Sequence, residues 1–251
     1  MPGISIKKTG DSEGVEIQMI DPDSMDQRTR LKFHAAQRAL ALVQPGMTLG
    51  LGSGSTAALW IQLLGEQVRD HGLRIRAIAS SEESERLARS YGIPLVTFEE
   101  CRSLDLTVDG ADEIAPGLAL IKGGGGKLLR EKIVASASKR FVIVADETKQ
   151  VERLGRFPLP VEVIPMAAPL VSESLRELGF TPSLRVNKDK KRYITDEGNL
   201  ILDCSGLLME EPALIAREID SIVGVVEHGL FLGMADLAII AGENKITERL
   251  S

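Results

Sequence analysis

The chain has 251 residues, of which 43% are hydrophobic and 26% charged, an ordinary globular usage that excludes a disordered or fibrous protein. A formal net charge of −6 gives no overall attraction to nucleic acid or to an anionic membrane, so a phosphate site must be built locally. Cys101 and Cys204 are the only cysteines, and His34, His71 and His228 lie far apart, which leaves no disulfide framework and no zinc cluster.

Residues 1–24 show weak periodicity and read as an N-terminal extension. They lack an apolar signal region, and Asp11, Glu13, Glu16, Asp21 and Asp23 argue against a transit peptide. No apolar run reaches the roughly 18 to 20 residues of a membrane span. The expected location is the cytoplasm. From Met25 a helical stripe through Leu31, Ala35, Leu40 and Leu42 stops at Gln44-Pro45-Gly46. Met47–Leu51 reads as a buried strand. It runs into Gly52-Ser53-Gly54-Ser55-Thr56 and then a helix with Ala57, Trp60, Ile61, Leu64 and Val68 on one face.

Strand-like Ile75–Ala79, a helix over Glu82–Tyr91 and a short strand Leu95–Phe98 follow. Asp105–Val108 is the next strand, ending at Asp109-Gly110-Ala111-Asp112-Glu113. Leu118–Ile121 leads into Lys122 and four glycines, then a helix from Lys127 to about Lys139 and the strand Phe141–Ala145. Alternating strands and helices predict an α/β fold, a mostly parallel, Rossmann-like sheet flanked by helices. After Phe157 the texture changes to prolines, a helix Leu170–Leu178, and strands near Leu184–Val186, Arg192–Thr195 and Leu200–Asp203. Asp196-Glu197-Gly198-Asn199 reads as a hairpin turn between the last two. A helix over Pro212–Ile222 completes a smaller inserted α+β domain, and Leu237–Ala241 is a strand able to rejoin the first sheet. The expected division is 25–156 plus 229–251 for the α/β domain and 157–228 for the smaller one.

Three loops stand where a strand has just ended, the place where such sheets bind ligands. Gly50–Thr56 offers backbone N–H groups, a helix N-terminus and the hydroxyls of Ser53, Ser55 and Thr56 to an anion. It matches neither a P-loop nor a dinucleotide fingerprint, and a capped strand-to-helix turn would look the same. Asp109 and Asp112, separated by small Gly110 and Ala111, can face one cleft to bind hydroxyls or move protons. They can equally cap a turn, and a Mg²⁺ site lacks further ligands nearby. Gly123, Gly124, Gly125 and Gly126 are costly in backbone entropy before a helix. They read as backbone pressed against a substrate rather than as a linker. Glu131 lies about one turn into that helix, where most glutamates are solvated.

Taken in order, Gly50–Ala57, Asp105–Ile114, Lys122–Ala135, Val144–Lys149 and Gly224–Phe231 resemble the type A ribose-5-phosphate isomerase family, with similarity from about Met25 to Gly242. The resemblance implies a larger α/β domain, an inserted α+β domain and a cleft between them. It implies an aldose–ketose isomerase that interconverts D-ribose 5-phosphate and D-ribulose 5-phosphate through an enediolate, with no metal and no cofactor. On the matching positions, Glu131 is the general base between C2 and C1, Asp109 and Asp112 contact the open-chain sugar, and Lys122, Gly123, Gly124 and Gly125 line its reacting end. Gly110 and Ala111 border that end, while Ser53, Gly54, Ser55 and Thr56 bind substrate with Lys32 and Lys149 as cations. The implied assembly is a homodimer or homotetramer, and the implied partner is a small sugar phosphate.

Some positions depart from the family pattern. Ser53 replaces a common Thr, Ala79-Ser80-Ser81 replaces Thr-Ser, and His228 stands where Asn is common and is expected to be structural. Lys127 holds a place usually given to a small residue and is expected to face solvent. A sugar-phosphate deaminase or lactonase on a related fold is the alternative enzyme, disfavoured by the Lys-Gly-Gly-Gly-Gly run with Glu131. A sugar-phosphate sensor would need a DNA-binding module, and the acidic N-terminal segment has no basic stripe for one.

Overall fold

The computed structural model describes residues 25–251, so the extension read for residues 1–24 lies outside them. Asp26 caps the first helix by accepting a bond from Thr29 N at 2.9 Å. In chain order the elements begin with α1 (Gln27–Leu40), β1 (Thr48–Leu51), α2 (Gly54–His71), β2 (Arg76–Ala79), α3 (Glu82–Ser90) and β3 (Leu106–Asp109). Then come β4 (Glu113–Ile114), β5 (Leu120–Ile121), α4 (Leu128–Ser136), β6 (Phe141–Asp146), β7 (Leu159–Val163), α5 (Ala168–Glu177), β8 (Thr181–Leu184) and β9 (Leu200–Ser205). The chain finishes with α6 (Pro212–Asp220), β10 (Val225–His228), β11 (Leu230–Phe231), β12 (Leu237–Ala241) and β13 (Ile246–Leu250).

Six strands form one sheet in the order β13-β12-β6-β3-β1-β2, parallel except for the antiparallel edge strand β13. Its inner strands are buried along their whole length because both faces are covered, and β6 and β12 read as apolar runs. Val142 and Val144 of β6 pack with Trp60, Ile61 and Ala35 on the side of α1 and α2. Phe141, Ile143 and Ala145 point the other way, onto Phe231, Leu120 and Ala135 of α4. Burying these side chains on both faces removes apolar surface from water at about 25 cal/mol per Å². The chain is thus an α/β protein with a mostly parallel sheet and a separate antiparallel region.

That second region is an antiparallel sheet, β10-β7-β9-β8, with α5 and α6 packed on it. A small antiparallel sheet of β11, β5 and β4 joins the two, since β5 carries the chain into Lys122 and Lys122 N bonds Gly229 O at 2.9 Å.

Several expected elements differ. Leu95–Phe98 makes a single bridge, Leu95 to Ala77, and then turns, because Glu100 accepts from Thr97 N at 2.9 Å and pulls the chain round. Arg192–Thr195 is not a strand. Its one bridge is Val186 to Arg192, and the antiparallel partners of β9 are β7 and β8, so Asp196–Asn199 is a turn but not a hairpin between ladder strands. The prolines also hid β7. Pro160 can sit in it because β10 pairs only with Val161 onward, leaving no ladder donor missing on that side.

Candidate active site

Three buried ionisable side chains meet near the carboxyl ends of β3 and β5. Lys122 Nζ lies 2.9 Å from Asp109 Oδ2 and 3.5 Å from Glu131 Oε2, and it donates to Gly110 O at 2.6 Å. Asp109 is the last residue of β3, and its Oδ1 accepts from Ser53 N at 2.9 Å and Gly110 N at 2.7 Å. The first loop is therefore folded onto this carboxylate, and Gly52 must be glycine because a Cβ there would overlap it. Glu131 is held in the first turn of α4 and is 6% exposed.

Burial pushes the Glu131 carboxyl up to about 8, helped by the negative charges of Asp109 and Asp112 and opposed by Lys122. Burial alone would lower Lys122, but the carboxylates of Asp109 and Glu131 beside it hold it above the ordinary ammonium range. The short contact to Asp109 keeps the ammonium charged, while Glu131, at a longer distance, is left poorly solvated. Its Oε2 is buried with no hydrogen-bond partner among the described residues. Buried carboxylate oxygens without a donor are uncommon, and a carboxyl whose pKa burial has raised is a candidate for proton transfer.

The other end of the cleft is cationic. Lys32 Nζ donates to Ser55 Oγ at 2.9 Å at the N-terminus of α2, where helix amides favour an anion. Gly54 (φ 84°) gives the turn its left-handed residue, and Ser53 Oγ lies 2.8 Å from Ser80 Oγ. Thr56 is buried beneath the loop, whereas Gly54 and Ser55 are exposed. Burial lowers the Lys32 ammonium, and the charges of Arg28 and Lys149 lower it further, so the group is short of negative charge. A cavity of about 320 Å³ is lined by Arg28, Asp112, Lys149, Arg156 and Phe157, among others.

The structure thus joins Asp109, Lys122 and Glu131 in one cluster, Lys32 and Ser55 in one bonded pair, and Asp112 and Lys149 on one cavity. Asp112 Oδ2 accepts from Gly124 N at 2.7 Å, which draws the glycine run to the cleft. Of that run Gly123 is buried and Gly124 and Gly125 are exposed, while Gly110 and Ala111 are half-buried. Glu113 serves the backbone instead, accepting from Gly155 N at 2.8 Å and Phe157 N at 2.6 Å. Lys127 does not face solvent as expected; it pairs with Asp196, and both side chains are largely buried. His228 is structural, with Nδ1 accepting from Leu230 N at 3.2 Å and Nε2 3.2 Å from Asp220. Spacing gave no signal for Arg28 or Arg185, whose Nη1 donates to Gly123 O at 2.9 Å.

Residues 76–245 match the family model described as ribose 5-phosphate isomerase A (phosphoriboisomerase A). A relative from Roseiflexus sp. called ribose-5-phosphate isomerase A is 51% identical over 216 residues, covering 85% of this chain and 93% of its own. The solved structure of ribose 5-phosphate isomerase A from Methanocaldococcus jannaschii aligns with a TM-score of 0.85 at 41% identity, over 88% of this chain and 98% of that one. A structure of D-ribose-5-phosphate isomerase in complex with phospho-erythronic acid aligns with a TM-score of 0.87 at 34% identity, over 90% and 100%.

Proposed function

The chain belongs to the ribose 5-phosphate isomerase A family, and we propose that its Glu131–Lys122–Asp109 cluster carries out the interconversion of D-ribose 5-phosphate and D-ribulose 5-phosphate. The observation that carries the assignment of the base is Glu131 Oε2, a buried oxygen without a donor, 3.5 Å from Lys122 Nζ. In the open-chain aldose, Glu131 takes the proton from C2. The electron pair forms the C1–C2 double bond of an enediolate, and charge on O1 is met by Lys122. The same carboxyl then delivers the proton to C1, the O2 proton leaves, and O1 is protonated, giving the ketose. No electrons leave the sugar, so the route needs no redox group, and Lys122 supplies the positive charge a metal would otherwise bring.

Asp109 fixes Lys122 and the first loop; Asp112, with Gly110, Ala111, Gly123, Gly124 and Gly125, lines the sugar. Ser53, Gly54, Ser55, Thr56, Lys32 and Lys149 hold the phosphate. The relative that binds phospho-erythronic acid, an acyclic phosphorylated sugar acid, supports a cleft with one cationic end. Purified protein in excess EDTA is expected to convert ribose 5-phosphate to ribulose 5-phosphate; absence of conversion with an intact fold would overturn the reading.

Because only the ionised carboxylate accepts the proton, kcat/KM is expected to rise roughly tenfold per pH unit below the Glu131 midpoint. That midpoint is set at about 8 by burial. A rate profile that is level between about pH 6.5 and 8 would count against a buried base. Arg28 extends the cationic end, its Nε 3.6 Å from Asp146 Oδ2 and its side chain 60% exposed. Arg28→Met is therefore expected to raise KM about threefold to tenfold and leave kcat within about twofold, as a partly exposed charged hydrogen bond would. An unchanged KM would remove Arg28 from the phosphate site.

The same reading divides the chain into 25–156 plus 229–251 and 157–228, supported by the separate β10-β7-β9-β8 sheet. It places the enzyme in the cytoplasm, supported by two free thiols, Cys101 and Cys204. No helix of the described residues is long and apolar enough to cross a membrane. A homodimer or homotetramer is supported by exposed Met166, Leu170 and Val223, brought together where Ile164 N bonds Gly224 O.

A further inference from the structure

Four consecutive glycines carry no side chains with which to fix their own conformation, yet they lead directly into the helix that bears Glu131. The order comes from the antiparallel region and the long connection between its strands β8 and β9. Arg185, bidentate on Asp203, donates to Gly123 O at 2.9 Å and Gly124 O at 3.2 Å, and Tyr193 Oη donates to Gly125 O at 3.2 Å. A Cβ on Gly126 would run into the Tyr193 ring, so the run lies flat against it. The last contact in this series is ionic. Lys127, the residue before α4, pairs with Asp196; Arg130 reaches Asp196 Oδ2 at 3.7 Å and also pairs with Glu197.

Asp196 does more than hold α4. Its Oδ2 also accepts from Glu82 N at 3.3 Å, at the start of α3. Ser80, two residues earlier, bonds the Ser53 hydroxyl, and Ser84 in the first turn of α3 donates to Gly52 O at 2.6 Å. One carboxylate, with its side chain only 11% exposed, therefore joins the N-termini of two helices. One helix backs the phosphate loop and the other carries the base. Glu131 N bonds Lys127 O at 3.0 Å, so a displacement of Lys127 passes straight to Glu131.

We infer that the Asp196–Glu197 turn is a clasp, with Lys127 and Asp196 as positioning residues that set the distance between the base-bearing helix and the phosphate loop for catalysis. The inference rests on Glu131 being the base. It gives Lys127 a purpose in this chain, where a small side chain at that position could form no such pair. Proton transfer from carbon tolerates little misplacement, and about 1 Å can cost roughly a hundredfold in rate. Weakening one anchor among several is a smaller perturbation.

The test compares steady-state kinetics and thermal unfolding of the full chain with those of Lys127→Met, Asp196→Asn, the double variant and Lys127→Arg, beside Glu131→Gln. Lys127→Met and Asp196→Asn are expected to lower kcat about fivefold to twentyfold with KM within about twofold, a partial loss of positioning. The double variant should be no worse than the poorer single one, because both remove the same pair. Lys127→Arg should retain most of the rate. As water reaches Glu131 in the opened clasp, the midpoint of the pH–rate profile should also move below the wild-type value. Single variants that melt earlier but keep kcat and the pH profile would reduce the clasp to a structural contact. So would losses that multiply in the double variant. If those variants are unaffected while Glu131→Gln is inert, the clasp alone fails; if Glu131→Gln is active, the base assignment fails and the clasp with it.

Discussion

Glu131→Gln is expected to lower kcat by at least about a hundredfold while leaving KM near the wild-type value, the signature of a lost general base. The amide keeps the shape of the side chain and leaves Lys122 paired with Asp109 at 2.9 Å, so the cleft should stay formed. What is lost is a carboxylate whose buried Oε2 has no hydrogen-bond donor among the described residues. The substitution also tests burial by a second readout. In the unfolded chain this carboxyl ionises near 4.5, and in the folded protein near 8. Between those values the folded state holds a proton that the unfolded state releases, so this group costs stability progressively as pH rises through the window, and the cost is complete above it. Glu131→Gln should therefore melt at a higher temperature than the wild type at pH 8.5 and show little of this gain at pH 4.5. An equal difference at both pH values would mean that Glu131 is not ionising in a buried site.

Lys122→Met is expected to be the more damaging change, because it removes charge from both the chemistry and the fold. Without an ammonium where the enediolate develops its charge, kcat/KM should drop roughly 10²- to 10³-fold, the effect of losing one preorganised donor. Asp109, 1% exposed, would then lose the cation beside it, and Glu131, no longer held down by Lys122, would keep its proton to higher pH. Breaking a buried pair by removing one partner costs about 3 to 5 kcal/mol. Denaturant unfolding measures that loss, and single-turnover rates at a temperature where the variant is folded measure the chemistry. A variant that is destabilised but isomerises at the wild-type rate would leave Lys122 as an anchor for Asp109 and nothing more.

The parallel sheet was legible in the sequence because its strands are buried on both faces. Phe141–Ala145 and Leu237–Ala241 are continuous apolar runs closed by acid or glycine, and Thr48–Leu51, though it holds Thr48 and Gly50, is bounded the same way. Strand β7 was not legible, since Pro158 and Pro160 argue against a strand unless its neighbour's pairing is known to start at Val161. The three loops could be placed at strand ends from spacing alone, yet spacing could not separate Asp112 on the cleft from Glu113 on the backbone of Gly155 and Phe157. The importance of Glu131 came from the resemblance to a family, because a glutamate one turn into a helix is ordinarily solvated. Its burial is a tertiary fact, produced by the packing of α4 against β1 and β3 and by Lys122 arriving from β5. Lys127 was misread for the same reason: its partner Asp196 lies 69 residues away, beyond the reach of any local pattern. Arg28 carries no motif at all and is identified only by the cavity it shares with Asp112 and Lys149.

In the proposed route one shielded carboxyl, Glu131, moves the proton between C2 and C1, and the fate of that proton tests it. Ribose 5-phosphate deuterated at C2 should be turned over in ordinary water and the ribulose 5-phosphate analysed for deuterium at C1. A carboxyl 6% exposed is shielded but not sealed, so exchange with solvent should compete with delivery to C1, and deuterium is expected to be divided between C1 and the solvent. Complete retention at C1 that persists when turnover is slowed enough for a carboxyl-bound deuteron to exchange would mean a hydride shift, with no role for Glu131 as the base.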